Sequence, residues 1–503
     1  MLKFKNFAEI FIVMILLPIL ILPQHRGDNL SFQGLFDNPN GTDAKIAAMG
    51  GANIAGTGEL GSIFNNPAGL ASIHKIKFSF TANEFEKRWW ENQDYRPNRQ
   101  FVTLSFYLDG LYAPNPANNG KWDNQAFFDD STYIVNDPQL GLDPFSEEAA
   151  NWINSESGRA FNNIAVVVPL KILEHNFVIS AAYSKQFNIL DYDRNNTYLD
   201  PHLGYNGYGP VPERVTSAED SIRVNWFDYE RSKIGKLNQI TFAFATGITE
   251  SIDLGVKVNL LSGSSNDSYK LNKIGYFDLM GGANQFKFSY DTLNTGIKGT
   301  SNYSAFSITV GSVFKLNRFN LGVSLNLPYT LKKEWSYTKT VSSVDSTSSA
   351  INSGVDELSL PLTYAVGLAF MPIDEFTIRL DVEKSNLSNS KLNMASPDST
   401  LRKFPNKTSI RVGAEYKIQK FLSILFGYNY QNALFVPDGA AIKDKGPGIN
   451  SYSFGVSILL PIGRFNIAYT TSSMRYYDSY FSNTNYNTVT NSNILVGYTY
   501  TLN

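Results

Sequence analysis

Asn493-Ile494-Leu495-Val496-Gly497-Tyr498-Thr499-Tyr500-Thr501-Leu502 alternates without a slip. Ile494, Val496, Tyr498, Tyr500 and Leu502 share one face, while Asn493, Leu495, Gly497, Thr499 and Thr501 share the other, the period of two that marks a strand. The same reading holds for Tyr452, Phe454, Val456, Ile458 and Leu460, and for Phe319, Leu321, Val323, Leu325 and Leu327. It holds again for Leu358, Leu360, Leu362, Tyr364, Val366, Leu368 and Phe370, opposite Ser359, Thr363, Ala365 and Gly367. A soluble β-sandwich also alternates. Here, however, the strands are long and the polar face carries Gly, Ser, Thr and Asn more than charge, which suits membrane strands of roughly nine to eleven residues.

Composition agrees. Aromatic residues make up 14%, led by 35 Phe and 28 Tyr, and charged residues only 17%, against about 25% in a typical soluble protein. Mean hydropathy is nevertheless slightly negative, which excludes a bundle of apolar helices. The absence of Cys excludes disulfides and thiolate metal sites. A net charge of −2 without a basic stripe gives no support for nucleic-acid binding. Lys3 and Lys5 followed by the apolar run Ile10 to Leu22 read as an export signal, since a spanning helix needs roughly 20 residues. Its cleavage position is open, and an uncleaved anchor is the alternative.

Connections from residue 160 onward alternate between two kinds. Short turns fall at Leu173–Glu174, Thr249–Glu250, Asn317–Arg318, Pro372–Ile373, Gln419–Lys420 and Ile462–Gly463. Long polar stretches fill 109–159, 189–237, 263–301, 332–357, 387–407, 432–449 and 475–491. Outer-membrane barrels have short periplasmic turns and long external loops, so the strands at 160–170, 238–248, 302–316, 358–371, 408–418, 450–461 and 492–502 run inward. Those at 176–188, 251–262, 319–331, 374–386, 421–431 and 464–474 run outward. One further outward strand must come first, at 75–83 or 100–108. The expectation is an all-β, fourteen-stranded antiparallel transmembrane barrel over 74–503, in the bacterial outer membrane, among its lipid and lipopolysaccharide, folded by the barrel-assembly machinery and working as a monomer. Gly497, Tyr500 and Leu502 suit a terminal assembly strand; the final Asn503 does not.

Residues 24–73 read differently. Gly41, Gly50, Gly51, Gly56, Gly58, Gly61 and Gly69 punctuate a stretch that also holds Met49, Ile54, Ile63, Phe64 and Leu70. A flexible linker needs no such apolar residues, whereas glycine permits close approaches in a crowded lumen. Ala48-Met49-Gly50-Gly51-Ala52 and then Asn66-Pro67-Ala68-Gly69-Leu70 resemble the N-terminal hatch of the FadL family of outer-membrane transporters, which includes the TodX-type toluene and xylene channels and, more distantly, the PorV-type secretion proteins. Thr408-Ser409-Ile410-Arg411-Val412-Gly413-Ala414-Glu415-Tyr416, Leu425-Phe426-Gly427-Tyr428, Val436-Pro437 and Pro447 before Tyr452 resemble that family's penultimate strands and loop. The middle strands match in pattern alone, so substrate-determining loops do not carry over.

The resemblance implies fourteen strands, a plug, and uptake of hydrophobic small molecules such as long-chain fatty acids or hydrocarbons. Outer loops would capture the ligand, the lumen would bind it, the hatch would move, and the ligand would leave sideways beside an inward-kinked third strand. Asn66, Pro67, Ala68 and Gly69 are the hatch candidates, though Asn66-Pro67 is equally well a turn handing the plug to the first strand. On the third strand, Phe177, Ile179, Ala181 and Tyr183 face outward and then meet Lys185, costly against lipid; Tyr183 and Lys185 mark either the lateral opening or the point where the strand leaves the membrane. Lumen-facing charges include Lys257, Asp253, Arg379, Asp381, Arg411 and Glu415. Arg411, Arg379 and Lys257, with Phe64, are the ligand-binding candidates, because a buried cation can hold a carboxylate; the plainer reading is that these charges tie barrel to plug.

Trp89, Trp90, Trp122, Trp152, Trp226, Trp335 and Phe127-Phe128 fall in expected outer loops, where they serve capture or packing, Trp89 and Trp90 alternatively forming an interfacial girdle. Four His (His25, His74, His175, His202), of which only His202 falls in an external loop, leave no catalytic site in view: no enzyme, cofactor or metal is expected. The rival to transport is a PorV-like adaptor that shuttles secreted proteins without moving small molecules.

Overall fold

The computed structural model describes residues 32, 43–95, 141–172, 175–203, 221–280, 285–395, 404–437, 446–479 and 483–502. The export segment, the candidate strand at 100–108, Trp122 and Phe127-Phe128 lie outside these residues.

Seventeen hydrogen-bonded segments form one sheet. Three neighbouring pairs of them are halves of interrupted strands, so the described chain crosses fourteen times. In chain order the strands are β1 (Lys77–Tyr95), β2 (Trp152–Ile172), β3 (His175–Leu203), β4 (Ser221–Thr249), β5 (Ile252–Met280), β6 (Gln285–Leu316), β7 (Phe319–Asn326 and Tyr329–Ser342), β8 (Thr347–Leu360 and Thr363–Ile373), β9 (Phe376–Ser385 and Lys391–Asn393), β10 (Lys407–Gln419), β11 (Leu422–Asn432), β12 (Gly448–Leu460), β13 (Gly463–Ser479) and β14 (Asn483–Thr501). Each pairs antiparallel with the next, and β1 pairs along its whole length with β14. The sheet therefore closes on itself. Of the two candidates for the first strand, the earlier one crosses.

The outward face is greasy. Phe80, Phe161, Ile164, Phe242, Phe306, Val366, Phe426, Phe454, Tyr469 and Ile494 all stand exposed around the cylinder. So large an apolar surface is stable only against lipid. Neighbouring aromatics pack on one another along it, as in Phe426–Phe454 at 5.2 Å and Tyr428–Tyr452 at 5.4 Å between ring centres.

Several expectations need correction. The stretches 189–237, 263–301, 332–357 and 475–491 are largely strand, not loop: β3 to β8 and β13–β14 continue far past the apolar belt. Beyond the lipid nothing demands an apolar outer face, so the alternation fades while the ladder persists. Trp89 and Trp90 lie on β1 and are buried, which excludes a girdle; Trp335 lies on β7, Trp226 and His202 on strands β4 and β3.

The continuous reading across 358–370 also fails. Leu358 and Leu360 are buried in the lumen, whereas Leu362, Tyr364 and Val366 face out. The ladder breaks at Pro361-Leu362, as it does on the neighbouring strand at Leu327-Pro328. Proline cannot donate to the ladder, so each strand rolls by one residue there. Leucines that would have met lipid turn inward instead, Leu331 among them.

Candidate functional site

Asp43 to Ile73 lies within the cylinder. The short helix α1 (Ala44–Ala48) packs against Leu425, Ala468 and Leu495 of β11, β13 and β14. Further along, Ile63, Leu70 and Ile73 pack against Ala165, Val178 and Ala245 of β2, β3 and β4. A segment touching opposite walls of a closed barrel is inside it.

The wall meets this segment with glycine. A Cβ on Gly427 would fall 1.9 Å from the Gly50 nitrogen, and one on Gly255 2.5 Å from the Ala68 nitrogen. Gly311 lies against Asn66, Gly322 and Gly367 against Ile54, and Gly413 against Met49. These six glycines form three directly opposed pairs in the ladder: Gly255 with Gly311, Gly322 with Gly367, Gly413 with Gly427. The plug thus lies backbone-to-backbone in a belt of wall glycines.

Polar contacts complete the seat. Asp381 accepts from the Asn53 and Ile54 amides at 2.7 and 2.9 Å. Arg379 donates to Asn53 Oδ1 at 2.6 Å and to both oxygens of Glu59 at 2.9 and 3.0 Å, and Lys45 joins Glu59 to Glu415. Lys257 donates to the Ile63 and Phe64 carbonyls at 3.0 and 2.6 Å. Asn66, wholly buried, caps the short turn Pro67–Leu70 by accepting from Ala68, and its amide reaches the carbonyls of Ile54, Ser312 and Val323. It is a turn residue and a wall clamp together.

Burial would raise the Glu59 carboxyl, but Arg379 and Lys45 overcome this and hold it well below its ordinary value of 4.5. A depressed carboxylate stabilises above its unfolded pKa, and that stability is lost as pH falls through the folded value. Asp43, raised by its own burial, offsets a part of this. Glu59 should therefore stay ionised and paired with Arg379 and Lys45 from about pH 7 to about 5 and lose its charge only well below the usual carboxylate range; infrared spectra of wild type against Glu59→Gln that show a protonated Glu59 carboxyl at pH 6 would contradict the ion-pair seat.

Outward of the plug lies a cavity of about 220 Å³. Phe64, Lys257 and Arg411 line its floor, and Leu261, Leu360 and Leu434 its far side. It opens onto a cluster of Ile189, Leu237, Leu331, Leu358 and Leu387, with Phe32 seated among them. Three of the four ligand-binding candidates thus share one chamber. Arg379 instead faces a second cavity, about 410 Å³, beyond the plug. Arg411 pairs with Glu383 at 2.6 Å, and Lys407 with the same carboxylate at 2.9 Å.

Sequence reasoning missed what closes the chamber outwardly. One to three inward positions further along the strands come Asp191, Asp193, Arg231, Lys233, Asp267, Lys333 and Asp356. Arg231 reaches Asp191 at 2.8 Å, Lys333 lies 3.8 Å from Asp356, and Asp267 accepts from Ser265, Ser301 and Tyr337. An aromatic layer of Phe227, Tyr229, Tyr269 and Tyr337 follows. These residues fall in stretches that read as loops, where no inward face of period two is expected.

The wall itself is incomplete at one place. β2 and β3 pair only from Asn163–Ile172 with His175–Ser184, yet β2 begins at Trp152 and β3 runs on to Leu203. Each strand bulges where the ladder stops: Asn162 is skipped in the pairing of β2 with β1, and Gln186 in that of β3 with β4. Higher up, side chains reach β3 from both β1 and β2, Lys87 of β1 donating to the Leu190 carbonyl at 2.7 Å and Trp152 of β2 to that of Arg194 at 3.0 Å. Between Ser184 and Leu190, roughly 20 Å of strand at about 3.3 Å per residue, no backbone ladder joins β2 to β3. Tyr183 faces lipid below this window. Lys185 does not: the bulge turns it inward, and it is only 7% exposed, a correction to its expected outward position.

No family model matches the sequence, and no curated protein does. The fold is matched by solved structures. A Pseudomonas aeruginosa FadL homologue superposes with a TM-score of 0.57 at 15% identity, over 91% of this chain and 98% of its own. The P. putida toluene transporter TodX gives 0.54 at 13%, over 92% and 99%. The CymD monoaromatic hydrocarbon channel gives 0.52 at 11%, over 92% and 98%. The architecture is thus the FadL/TodX type, reached with little shared sequence.

Proposed function

We propose that this chain is an outer-membrane transporter of hydrophobic molecules, binding them in the chamber above the plug and releasing them sideways between β2 and β3. The carrying observation is the interrupted ladder at Asn163–Ser184, because Ile189, just past the break, belongs to the apolar cluster lining the chamber. An apolar solute gains nothing by entering water. The plug bars the periplasmic end, and the ionic and aromatic layers pack the outer end on the β3–β8 side, so the wall offers the apolar route. The structural neighbours, named as transporters and channels of hydrophobic compounds, support the same reading. In it, Asn66, Pro67, Ala68 and Gly69 form the hatch element that shifts with ligand, Phe32 yields its place in the cluster, and the outer strands and loops gather the ligand first.

Lipid extraction and native mass spectrometry of protein purified from its own membrane test this. A stoichiometric hydrophobic ligand is expected. Leu360→Asp, which places a charge in the chamber, should lower its recovery about ten-fold or more. A ligand-free wild-type barrel that instead binds a secreted protein would favour the adaptor.

A further inference from the structure

Lys185 is a buried ammonium with no carboxylate partner among the described residues. Its Nζ donates to Asn83 Oδ1 at 3.2 Å and lies 5.1 Å over the Phe85 ring. Among the described residues it makes no ion pair, and the charged group that acts on it is a second cation, Lys236. The neighbouring Ser184 hydroxyl is fully buried and has no hydrogen-bond partner among the described residues. Arg379 is matched by Glu59, Arg411 and Lys407 by Glu383, and Lys45 by Glu59 and Glu415, while Lys257 is held by the Ile63 and Phe64 carbonyls of the plug. A desolvated charge left unpaired is costly, by several kcal/mol in general, and buried polar groups without partners are rare. A cation and a hydroxyl of this kind fall side by side at the lower corner of the window between β2 and β3.

We propose that Lys185, with Ser184 and Asn83, forms an anion-recognising threshold in the wall, which makes passage selective for acidic amphiphiles over neutral hydrocarbons of the same length. The inference rests on the lateral route above and adds a specificity residue to it. The ammonium has donors to spare for a carboxylate and Ser184 a hydroxyl, while the alkyl tail lies along the apolar rim of Ile164 and Ile189. A neutral hydrocarbon gains none of these hydrogen bonds and leaves the cation bare. Charge-assisted hydrogen bonds in a dry site are worth more than neutral ones, and a loss of about ten- to a hundred-fold on removing one is the expected scale.

The test uses the full-length protein in liposomes of zwitterionic lipid, with dodecanoate and dodecane as matched probes, and compares wild type with Lys185→Met and Lys185→Arg. Wild type should pass dodecanoate in preference. K185M should lose about ten-fold or more of dodecanoate passage with dodecane unchanged, and K185R should retain most of it. Equal loss of both probes would make Lys185 merely structural and overturn the proposal, as would no change in either. Anionic phospholipid that co-purifies with wild type and not with K185M, with probe passage unaltered, would assign the site to a lipid headgroup and overturn it also. Wild type that passes neither probe would sink the transport reading itself, a different result from any of these.

Discussion

Gly427→Val is expected to yield a barrel whose plug cannot seat. The added Cβ would lie 1.9 Å from the Gly50 nitrogen and 2.6 Å from its Cα, closer than any real contact. The obstacle is backbone on both sides. Gly50 has φ +67, a region side chains avoid, and a Cβ there would in turn strike Tyr428 at 2.7 Å. Neither partner has a flexible end that could swing away. Overpacking usually costs about 1–3 kcal/mol where neighbours can yield, so this site should sit at or beyond the upper value. Proteolysis of the variant in membranes should cut within residues 43–73, and hydrophilic solutes should leak through the lumen. Gly427→Ala should show the same defect more weakly, and Phe426→Leu, on the lipid face of the same strand, should show none. A plug as resistant as the wild type in Gly427→Val would refute the close seat.

Asp381→Ala should loosen the next turn of the plug. One buried carboxylate oxygen takes the amides of both Asn53 and Ile54, in the turn that also presses against Gly322 and Gly367. Removing it strands two buried donors and leaves Arg379 and Arg411 beside a lost negative charge. Breaking such an arrangement typically costs about 3–5 kcal/mol. Hydrogen exchange reads this directly: the Asn53 and Ile54 amides should exchange orders of magnitude faster, while that of Leu425 in the wall stays slow. Asp381→Asn keeps an acceptor and should fall between. Unchanged protection at Asn53 and Ile54 would show that these two hydrogen bonds do not hold the plug.

Much of the cylinder can be read from the chain because lipid imposes a rule on it. Wherever a strand meets hydrocarbon, alternate residues must be apolar, and Ile494 to Leu502 or Phe319 to Leu327 obey. Turn lengths then give parity, and parity gives fourteen crossings. The rule lapses above the membrane, which is why 263–301 reads as loop although β5 and β6 pair throughout it. It also misleads at Pro328 and Pro361, where a leucine on the beat points inward because the strand has rolled.

The site was legible only in fragments. Glycines recur on the polar faces, Gly367 and Gly497 among them, but their purpose depends on a plug that docks from three hundred residues away in sequence. The window left two local marks: Asn162-Asn163, two polar residues where one was due, and Lys185 on what should have been the greasy beat. Each is a bulge seen from the sequence side. Read singly, Lys185 looks like a lipid-facing charge; only the pairing of β1 with β2 and of β3 with β4 shows that both strands bulge at the same height.

The chain has no native cysteine, so a single introduced thiol reports on the lateral route without background. Ser184→Cys sits at the window, and Ser180→Cys four residues earlier on β3 lies where the β2–β3 ladder is intact. With a membrane-permeant, bulky maleimide, the thiol at position 184 should react, hydrophobic ligand should protect it, and the adduct should abolish uptake; the thiol at position 180 should stay unmodified. Uptake that continues at the unlabelled rate through a fully labelled Ser184→Cys barrel would contradict passage through this wall.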